Sequence, residues 1–421
     1  MSRDEHDHPN PIDGSPPQEF LAGILDESVG RSDFFKGAGK LAAGTLGLGG
    51  LSALLAACGS SSASSSSAAT SAAGGASSSS SAAASNKVKT IGVIEQAFAP
   101  FFTENFEQPL QKYLATATGT IATTTTAPAG WNHQFGNENN SVPTGISLLD
   151  QYAAQNYGGL ILSTGDEMTA WEHAVQQATA SGSLFINHST QAVSGATQNT
   201  LFSHKGAGVG IGNAAIAWAH KNNITAPVVA LIGNLTDAQG SKRTTWAWKT
   251  IKAAFPNAKL AGQVQGIDLP TGTTGAANLL SAHPDINVLI VFNTIAGVGA
   301  ANSATHAGKT DRNKFYLGIT DFENQTLNMI AAGNSIVQSN WGTFFPASMV
   351  LMARDIINKF NGHPMKPTRL LLGEAIVTPA QATSFNKIAF DPLNPKYADV
   401  YTKYFTYLDT PMKTGQVPPG Q

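Results

Sequence analysis

The feature that most constrains the fold is a regular alternation of short apolar runs and amphipathic segments that begins at Lys87. The apolar runs have the length and β-branched content of buried strands, and they lie at 89–95, 159–163, 184–187, 228–233, 259–265, 288–293, 315–320 and 335–338. Amphipathic segments typical of helices lie between most of them, at 101–115, 168–181, 207–222, 241–255 and 347–360. Fully apolar strands that alternate with helices indicate parallel sheets covered on both faces.

The length and charge of the alternating segment narrow the possibilities further. It extends from Lys87 to Gln421, which is more than one hydrophobic core usually holds, so we predict an α/β fold of two lobes. Of the 25 Lys/Arg and 27 Asp/Glu of the chain, four and eight lie in residues 1–57, which leaves a net charge of +2 on the rest. Such a balance offers no electrostatic footprint for nucleic acid, and we expect none as a partner.

Residues 1–57 have the features of an export signal. Three basic residues precede the run Ala42–Ala57, which is apolar but too short and too rich in glycine to span a bilayer well. Gly30–Lys36 is similar to a twin-arginine export motif, with Ser32 at the position of the second arginine. The segment therefore predicts export and leaves the export route open.

The end of this signal indicates a lipid anchor. Leu55–Gly59 (LAACG) resembles a bacterial lipobox, in which the cysteine is lipidated and becomes the new N-terminus. The alternative is that Cys58, the single cysteine of the chain, is a buried structural residue. Against this alternative, residues 59–86 contain only Gly, Ser, Ala, Thr and a final Asn, so they cannot form a core and predict a flexible tether from 58 to 86.

Four segments of the alternating region resemble a known family. Pro100-Phe101-Phe102 follows the first strand like an N-P-F-F sequence, and Leu149–Ile161 (LDQYAAQNYGGLI) is similar to a helix-to-strand step. Leu279–Asn293 (LLSAHPDINVLIVFN) is the most specific of the four, and Leu317–Asp321 with Met329–Gln338 (MIAAGNSIVQ) completes the set. The chain thereby resembles the type I periplasmic binding proteins of the sugar-binding, ribose-receptor kind over residues 88–372.

This resemblance implies two Rossmann-like lobes with parallel sheets, joined by a three-strand hinge, with the ligand in the cleft between them. Mapped onto the chain, lobe 1 comprises 88–203 plus 341–368. Lobe 2 comprises 204–340 plus 369–421, and the second of these ranges includes a C-terminal extension. The resemblance also implies that the chain is a monomer that serves an ABC permease, binds a sugar or polyol, and needs no cofactor and no metal.

Three candidate ligand residues lie in the first lobe. In open α/β sheets ligands bind beyond the carboxyl ends of strands, and sugar sites combine aromatic faces with hydrogen-bonding side chains. Phe101 and Phe102 match stacking positions of the family, although either could serve as a purely structural contact. His188 follows a strand where sugar receptors carry an Asp-Arg pair, and it could equally be a loop histidine satisfied within the protein. Because that pair is absent, the ligand cannot be named.

The second lobe and its last boundary with the first lobe contribute the remaining candidates. Lys242, or Arg243 one residue later, corresponds to an arginine of the family that holds ligand hydroxyls. Asn293 corresponds to a ligand asparagine, and Asp321 to an aspartate that falls there or one residue earlier. Two further candidates follow the last predicted strand of this lobe, and they are Asn340 and Trp341.

Other kinds of chemistry find little support in the sequence. It has no Walker loop, no H-E-x-x-H, no paired Cys ligands and no G-x-S-x-G. Gly206–Gly212 (GAGVGIG) has a glycine pattern of the dinucleotide type, but no proper strand precedes it. We therefore expect a binding protein and no enzyme; an extracytoplasmic enzyme and a sensory subunit of a chemotaxis or two-component system are the alternatives. A DNA-binding repressor of this fold would need a helix-turn-helix where this chain has an export signal.

Overall fold

The computed structural model describes residues 86–97, 99–115, 130–237, 240–333, 335–365, 369–372, 374–379 and 405–408, together with residues 382, 390 and 393. The predicted export signal, the lipidated Cys58 and nearly all of the tether lie outside these residues, as does most of the C-terminal extension. In the part that is described, no helix combines the length and the apolar character that crossing a membrane requires.

The strands form two sheets. In chain order they are β1 Val88–Glu95, β2 Asn132–Asn137, β3 Tyr157–Ser163, β4 Leu184–Ser189, β5 Gln198–Leu201, β6 Val228–Gly233, β7 Lys259–Gln265, β8 Val288–Val291, β9 Tyr316–Thr320, β10 Val337–Thr343, β11 Arg369–Leu372, β12 Glu374–Val377 and β13 Phe405–Leu408. The first sheet has the order β13-β11-β5-β4-β3-β1-β2, and the second has the order β12-β10-β9-β8-β6-β7. All pairs are parallel except β11–β13 and β10–β12 at the edges.

Helices connect the strands in both lobes. Helix α1 follows β1 and has three consecutive parts: an α-helical turn Pro100–Phe102, a π-helical segment Thr103–Glu107 and an α-helical part Gln108–Ala115. The others are α2 Val142–Ala154, α3 Glu172–Ala180, α4 His204–Lys221, α5 Ser241–Ala254, α6 Leu269–Ala282, α7 Thr294–His306, α8 Asn324–Ala331 and α9 Phe345–Phe360, with a short 3₁₀ turn at Met168–Ala170. The predicted two-lobed α/β fold is confirmed.

Burial explains why the central strands read as continuous apolar runs. Every residue of β3 and of β8 is buried, because helices cover both faces of each sheet. Ile91 and Val93 of β1 pack in one core cluster, whereas Ile94 packs in another on the opposite face. Each such side chain stabilises the fold by about 1.5–3 kcal/mol relative to an exposed one.

The chain passes between the lobes four times: between β5 and α4, between β10 and α9, between β11 and β12, and between β12 and β13. The lobe boundaries differ from the sequence prediction at two places. Strand β10 runs to Thr343 within the second sheet, beyond the predicted run 335–338. The prediction ended too early because the strand continues through polar side chains such as Asn340 and Thr343, which interrupt the apolar pattern. Strands β11 and β13, predicted in lobe 2, extend the first sheet by pairing with β5 and with each other.

Several helices begin with a side-chain cap at the end where a strand leads into them. Ser203 accepts a hydrogen bond from the backbone N–H of Gly206 (2.7 Å) at the start of α4, and Asn293 accepts one from Ala296 N–H (2.9 Å) at the start of α7. Asp268 caps α6 in a capping box with Thr271. These caps fix the helix starts beside the carboxyl ends of the strands, where ligands bind in open α/β sheets.

Candidate functional site

The two lobes touch through residues that follow β1 and β9. The amide nitrogen of Asn105, in the π-helical segment of α1, donates a hydrogen bond to the carbonyl oxygen of Phe322 in the second lobe (3.0 Å). The backbone N–H of Asn324 donates to Oε2 of Glu104 (3.0 Å). We call the region between these strand ends the cleft. It is closed in this structure, because direct bonds join its two sides.

A buried ion pair occupies the second-lobe side of the cleft. Nη1 of Arg243, in α5, lies 2.6 Å from Oδ2 of Asp321, and both side chains are almost fully buried. The same nitrogen donates to the carbonyl oxygen of Phe292 (3.0 Å) and to Oγ1 of Thr320 (3.1 Å). The guanidinium carbon also lies 4.8 Å from the ring centroid of Phe292 and 5.9 Å from that of Trp341. A charge-assisted bond with this support fixes both partners in place.

Asp321 keeps one oxygen available. Its backbone has a φ of 72°, the left-handed conformation that non-glycine residues rarely adopt. Such conformations often occur at functional sites, where the surrounding structure stabilises them. Its Oδ1 is buried and has no hydrogen-bond partner among the described residues. Burial raises the pKa of Asp321, although the charge of Arg243 opposes this rise. The second lobe therefore presents one unmatched acceptor beside a buried cation.

His204 completes this group at the start of α4. Nε of Arg243 donates to Nδ1 of His204 (2.8 Å), so the proton of the neutral ring is on Nε2. Burial, and then the charges of Arg243 and Lys242, hold the pKa of His204 well below its usual range. A Cβ placed on Gly165 of the first lobe would lie 3.8 Å from His204 Nε2 and 3.7 Å from Gln96 Oε1. The ring is thus neutral and lies next to the opposite lobe.

The glycines of α4 explain how Arg243 reaches this position. A Cβ on Gly208 would lie only 2.4 Å from the carbonyl oxygen of Arg243, and one on Gly212 would lie 2.9 Å from Cβ of Thr250. The absence of side chains at these two positions lets α5 pack directly on α4. The glycine pattern of Gly206–Gly212 lies within α4, where it serves helix packing.

The first-lobe side of the cleft is an aromatic cage around a histidine. The ring centroid of His188, in β4, lies 5.3 Å from those of Phe106, Phe202 and Phe345. Nδ1 of His188 lies 3.0 Å from Oγ of Ser163, whereas Nε2 is buried without a partner among the described residues. Burial lowers the pKa of His188 to about 3, so the ring is neutral at physiological pH.

Helix α1 adds polar groups to this side. The π-helical segment Thr103–Glu107 carries Glu104, Asn105 and Glu107 in a widened turn, a geometry often found at functional sites. Asn105 is fully buried, and its amide nitrogen donates to the carbonyl oxygens of Phe101 (2.8 Å) and Phe322, which leaves Oδ1 without a partner among the described residues. This oxygen is a buried acceptor at the interface of the lobes.

Glu95 ends β1 at the same edge. Its side chain is fully buried, and no nitrogen or hydroxyl group of the described residues donates to either carboxyl oxygen, which leaves the carboxyl group of Glu107 as the interacting side chain. Burial, with a further contribution from Glu107, raises the pKa of Glu95 to about 9. On another part of this edge, burial and Asp166 raise the pKa of Glu138 to about 8, although its Oε1 accepts a hydrogen bond from Thr164 (2.9 Å).

The described residues contain no group of three or more His, Cys, Asp or Glu side chains that could hold a metal ion. What the cleft offers instead is a set of hydrogen-bonding groups and aromatic rings on two facing edges. Sites of this composition are typical of proteins that bind small polar molecules.

Comparison with known proteins identifies the family. Residues 97–354 match the periplasmic binding protein domain, which is more than half of the chain. The chain belongs to the periplasmic binding protein family. Membership confirms the resemblance found in the sequence and implies a location outside the cytoplasm. A comparison with curated protein sequences gives no significant match.

Solved structures of periplasmic binding proteins share the fold at low sequence identity. A structure from Mycobacterium smegmatis in complex with β-D-fucofuranose has 18% identity and a TM-score of 0.59, covering 72% of this chain and 97% of that one. An ABC transporter solute binding protein from Bacillus halodurans C-125 with bound myo-inositol has 15% identity and a TM-score of 0.59, covering 72% and 98%. The Caulobacter myo-inositol binding protein has 19% identity and a TM-score of 0.58, covering 70% and 95%. At these identities the likeness shows the fold.

The predicted binding-protein residues of the first lobe lie together. Phe101 and Phe102 are half-buried, and their ring centroids are 5.2 Å apart. Phe101 packs edge-on against Phe345 (5.7 Å), which joins both rings to the cage around His188. The contribution of these three residues to ligand binding stays a prediction.

Those of the second lobe fall into two groups. Asp321 and Trp341 lie beside Arg243, whereas Lys242 is half-buried and interacts with Glu167 and Asp237. The structure thus places Arg243, the second of the two alternatives, in the ion pair.

Asn293 and Asn340 have structural bonds that occupy their side chains. Besides capping α7, Asn293 donates to the carbonyl oxygen of Ile267 (2.7 Å). Asn340 donates to Ile319 O (3.0 Å) and to Asp321 O, and accepts from Thr326 Oγ1 (2.8 Å). The bonds of Asn340 hold the loop that carries Asp321. A direct contact of either asparagine with ligand stays a prediction.

Sequence reasoning missed three residues of the cleft. Glu95, a charged residue that closes an apolar strand, was detectable because it stands at a strand end. Asn105 and His204 gave no such signal, because their positions depend on a π-helical turn and on the pairing of two helices.

Proposed function

We propose that this chain is an extracytoplasmic substrate-binding lipoprotein that captures a small polar ligand, a sugar or polyol, in the cleft and delivers it to an ABC importer. The observation that carries the proposal is the set of buried polar atoms without partners on both sides of the cleft, namely on Glu95, Asn105, His188 and Asp321. Buried polar groups are normally hydrogen-bonded, so unmatched ones at a cleft call for a polar ligand.

Other binding proteins of this fold support the ligand class. The similar structures hold β-D-fucofuranose and myo-inositol, which are small molecules rich in hydroxyl groups. A hydroxyl both donates and accepts, so it can satisfy His188 Nε2 and the carboxylate of Asp321 alike. The half-buried faces of Phe101 and Phe102 suit the apolar side of a sugar ring.

Closure is the proposed means of capture. The ligand bridges the two edges and favours the closed state, because only that state makes both sets of contacts. The bonds from Asn105 to Phe322 and from Asn324 to Glu104 then form across the cleft. An analogue that lacks one hydroxyl should bind more weakly, because a buried group would lose its partner.

A thermal-shift screen of the full-length protein tests the ligand class. The panel consists of monosaccharides, polyols, disaccharides, nucleosides and amino acids. A ligand at about 100 times its dissociation constant adds about 2.7 kcal/mol to the free energy of unfolding, which gives a clear shift of the midpoint. A response confined to one sugar or polyol family supports the proposal; a response only to nucleosides or amino acids contradicts the ligand class.

The anchor at Cys58 has its own test. Cys58→Ser should abolish labelling of the protein with a radioactive fatty acid and release it from the membrane fraction of the producing cells. Retention of the variant in that fraction, with the label still incorporated, would contradict lipidation at this position. The matched control is Ser60→Ala in the adjoining tether, which should change neither readout.

A further inference from the structure

Glu95 differs from every other buried carboxylate that the structure describes. Five carboxylate side chains are buried, and four of them accept a hydrogen bond from another side chain, as follows: Glu138 from Thr164, Asp321 from Arg243, Glu323 from Thr294, and Asp355 from Gln198 and Arg354. Glu95 receives none from a nitrogen or hydroxyl donor of the described residues, and its one side-chain interaction of this kind is the contact with the carboxyl group of Glu107. A carboxylate withdrawn from water without a donor is strongly unfavourable. To be ionised in the functional state, Glu95 therefore needs a donor that the described residues do not supply.

Two further free atoms of the cleft are also acceptors. The π-helical segment that packs near Glu95 through Glu107 carries Asn105, whose Oδ1 is buried and free. The amide of Asn105 cannot turn round to offer a donor, because its nitrogen is bound to two carbonyl oxygens. Through one of these bonds Asn105 contacts Phe322, which is the neighbour of Asp321 in the chain. Oδ1 of Asp321 is also free. With Glu95 ionised, four acceptor atoms on three residues thus lack a donor.

The charged side chains around these free acceptors are mostly negative. Glu104 and Glu107 lie on the π-helical segment, and Glu323 interacts with both Glu104 and Asp321. Arg243 is the cation of this group, and it is bound to Asp321. Lys242 interacts with Glu167 and Asp237 instead. Carboxylates therefore outnumber the cation around the free acceptors.

A hydroxyl group and an ammonium group satisfy such a set differently. A hydroxyl donates one hydrogen bond and brings two lone pairs that need donors of their own, whereas an ammonium group has three donors and no acceptor. Four free acceptors in an acidic environment therefore fit an ammonium group better than hydroxyl groups alone. The neutral His188, with its free Nε2, remains for a hydroxyl.

We propose that the ligand carries a protonated amino group that the carboxylate of Glu95 binds, with Asn105 as a second acceptor, so that the substrate class is an amino sugar or a similar small polyhydroxylated amine. This inference rests on the proposed function and names the ligand class of the same cleft. The amino group supplies the missing donors, and the ring hydroxyls contact His188 and the second lobe.

Binding measurements on matched pairs test the inference. Calorimetric titration of the full-length protein at pH 6.5 compares D-glucosamine with D-glucose, D-galactosamine with D-galactose, and N-methyl-D-glucamine with D-sorbitol. We expect at least one amine to bind at least tenfold more tightly than its neutral partner. In Glu95→Gln, which keeps the shape and removes the charge, the preference should disappear. The matched control Glu138→Gln, a buried carboxyl that already has a donor, should retain it.

Proton release gives a second readout that a structural role of Glu95 would not produce. The titratable groups that act with Glu95 are Glu107 of α1 and Tyr152 of α2. With the pKa of Glu95 raised to about 9, its carboxyl holds a proton at pH 6.5 and has to release it when a cation binds. Titrations in phosphate and in HEPES, which differ in ionisation heat, should report about one proton released per amine bound, and none in Glu95→Gln.

The outcomes separate the two proposals. Equal or tighter binding of the neutral partners, or proton release that Glu95→Gln leaves unchanged, overturns the amine and leaves the sugar receptor standing. Binding of ethanolamine with no binding of any sugar or polyol supports the cation at Glu95 and overturns the carbohydrate class. Absence of binding by every compound at concentrations up to about 10 mM overturns both.

Discussion

The two lobes bring different chemistry to the cleft that they share. In the second lobe nearly every polar group is bound to another group of the same lobe: Arg243 to Asp321 and His204, and Asn340 to Thr326. In the first lobe the groups at the strand ends, Glu95 and His188, retain buried atoms without partners. Apart from Oδ1 of Asp321, the second-lobe edge is thus held by its own bonds, and we expect the ligand to complete the first-lobe edge.

This difference predicts how each edge responds to substitution. Where charges are buried and paired, removal of one partner leaves the other uncompensated, so the free energy of unfolding falls. Where an acceptor has no partner in the unliganded protein, its removal relieves an unfavourable burial and mainly affects binding. Substitutions at the second-lobe edge should therefore mainly lower the stability of the protein, and substitutions at the first-lobe edge should mainly lower its affinity for ligand.

The largest expected loss of stability comes from Arg243. Arg243→Met should lower the free energy of unfolding by about 3–5 kcal/mol, because it leaves the buried Asp321 without its cation. Urea unfolding measures this change. The matched control is Lys242→Met, which removes the half-buried neighbouring cation and should cost less than about 1 kcal/mol. Equal losses in the two variants would contradict the assignment of Arg243 to the second-lobe edge.

A smaller effect should follow when the packing behind Arg243 is changed. Gly208→Ala places a Cβ 2.4 Å from the carbonyl oxygen of Arg243, so α5 has to move away from α4. We expect a loss of about 1–3 kcal/mol, as for other overpacked contacts, in thermal or urea unfolding. Ala214→Gly, in the same helix, is a control that changes helix propensity by about 1 kcal/mol without adding an atom. A Gly208→Ala protein more stable than wild type would show that the close approach is unnecessary.

The smallest change in the free energy of unfolding is expected at the first-lobe edge when the pH is mildly acid. At higher pH we expect a substitution there to increase stability. In the folded protein the pKa of Glu95 is raised from 4.5 to about 9, so the stabilisation linked to its proton is fully present below pH 4.5 and is lost as pH rises toward 9. Glu95→Gln has no carboxyl group at this position, so it does not lose this stabilisation as the pH rises. It should match wild type within about 0.5 kcal/mol at pH 5 and gain on it by at most about 1.4 kcal/mol per pH unit above that.

Urea unfolding of both proteins from pH 5 to pH 9 measures this trend. Glu138→Gln should show the same direction over a narrower window, because the pKa of Glu138 is raised to about 8. A Glu95→Gln protein less stable than wild type throughout this range would contradict the picture of an unmatched carboxyl.

The sequence predicted the fold and part of the cleft, and the division has a physical basis. Apolar strands such as β3 and β8 were recognised because burial on both faces leaves a continuous apolar run. Asp321 was found because it directly follows a strand.

The parts that were missed depend on packing that no local pattern records. The choice between Lys242 and Arg243 is decided by the contact of α5 with Gly208, and the position of Asn105 by a π-helical turn. Strand β10 was predicted too short, since the buried Asn340 and Thr343 are polar.

The most direct test of the account is a distance measurement between the lobes. Gln151 of α2 and Asn278 of α6 are exposed and lie in different lobes, so Gln151→Cys and Asn278→Cys in a Cys58→Ser background would carry spin labels. Pulsed electron resonance with and without the sugar, polyol or amino sugar that binds most tightly gives the distribution of distances. The account predicts that ligand converts a broad distribution into a single narrow, shorter distance. An identical distribution with saturating ligand would contradict the claim that the two edges close on it.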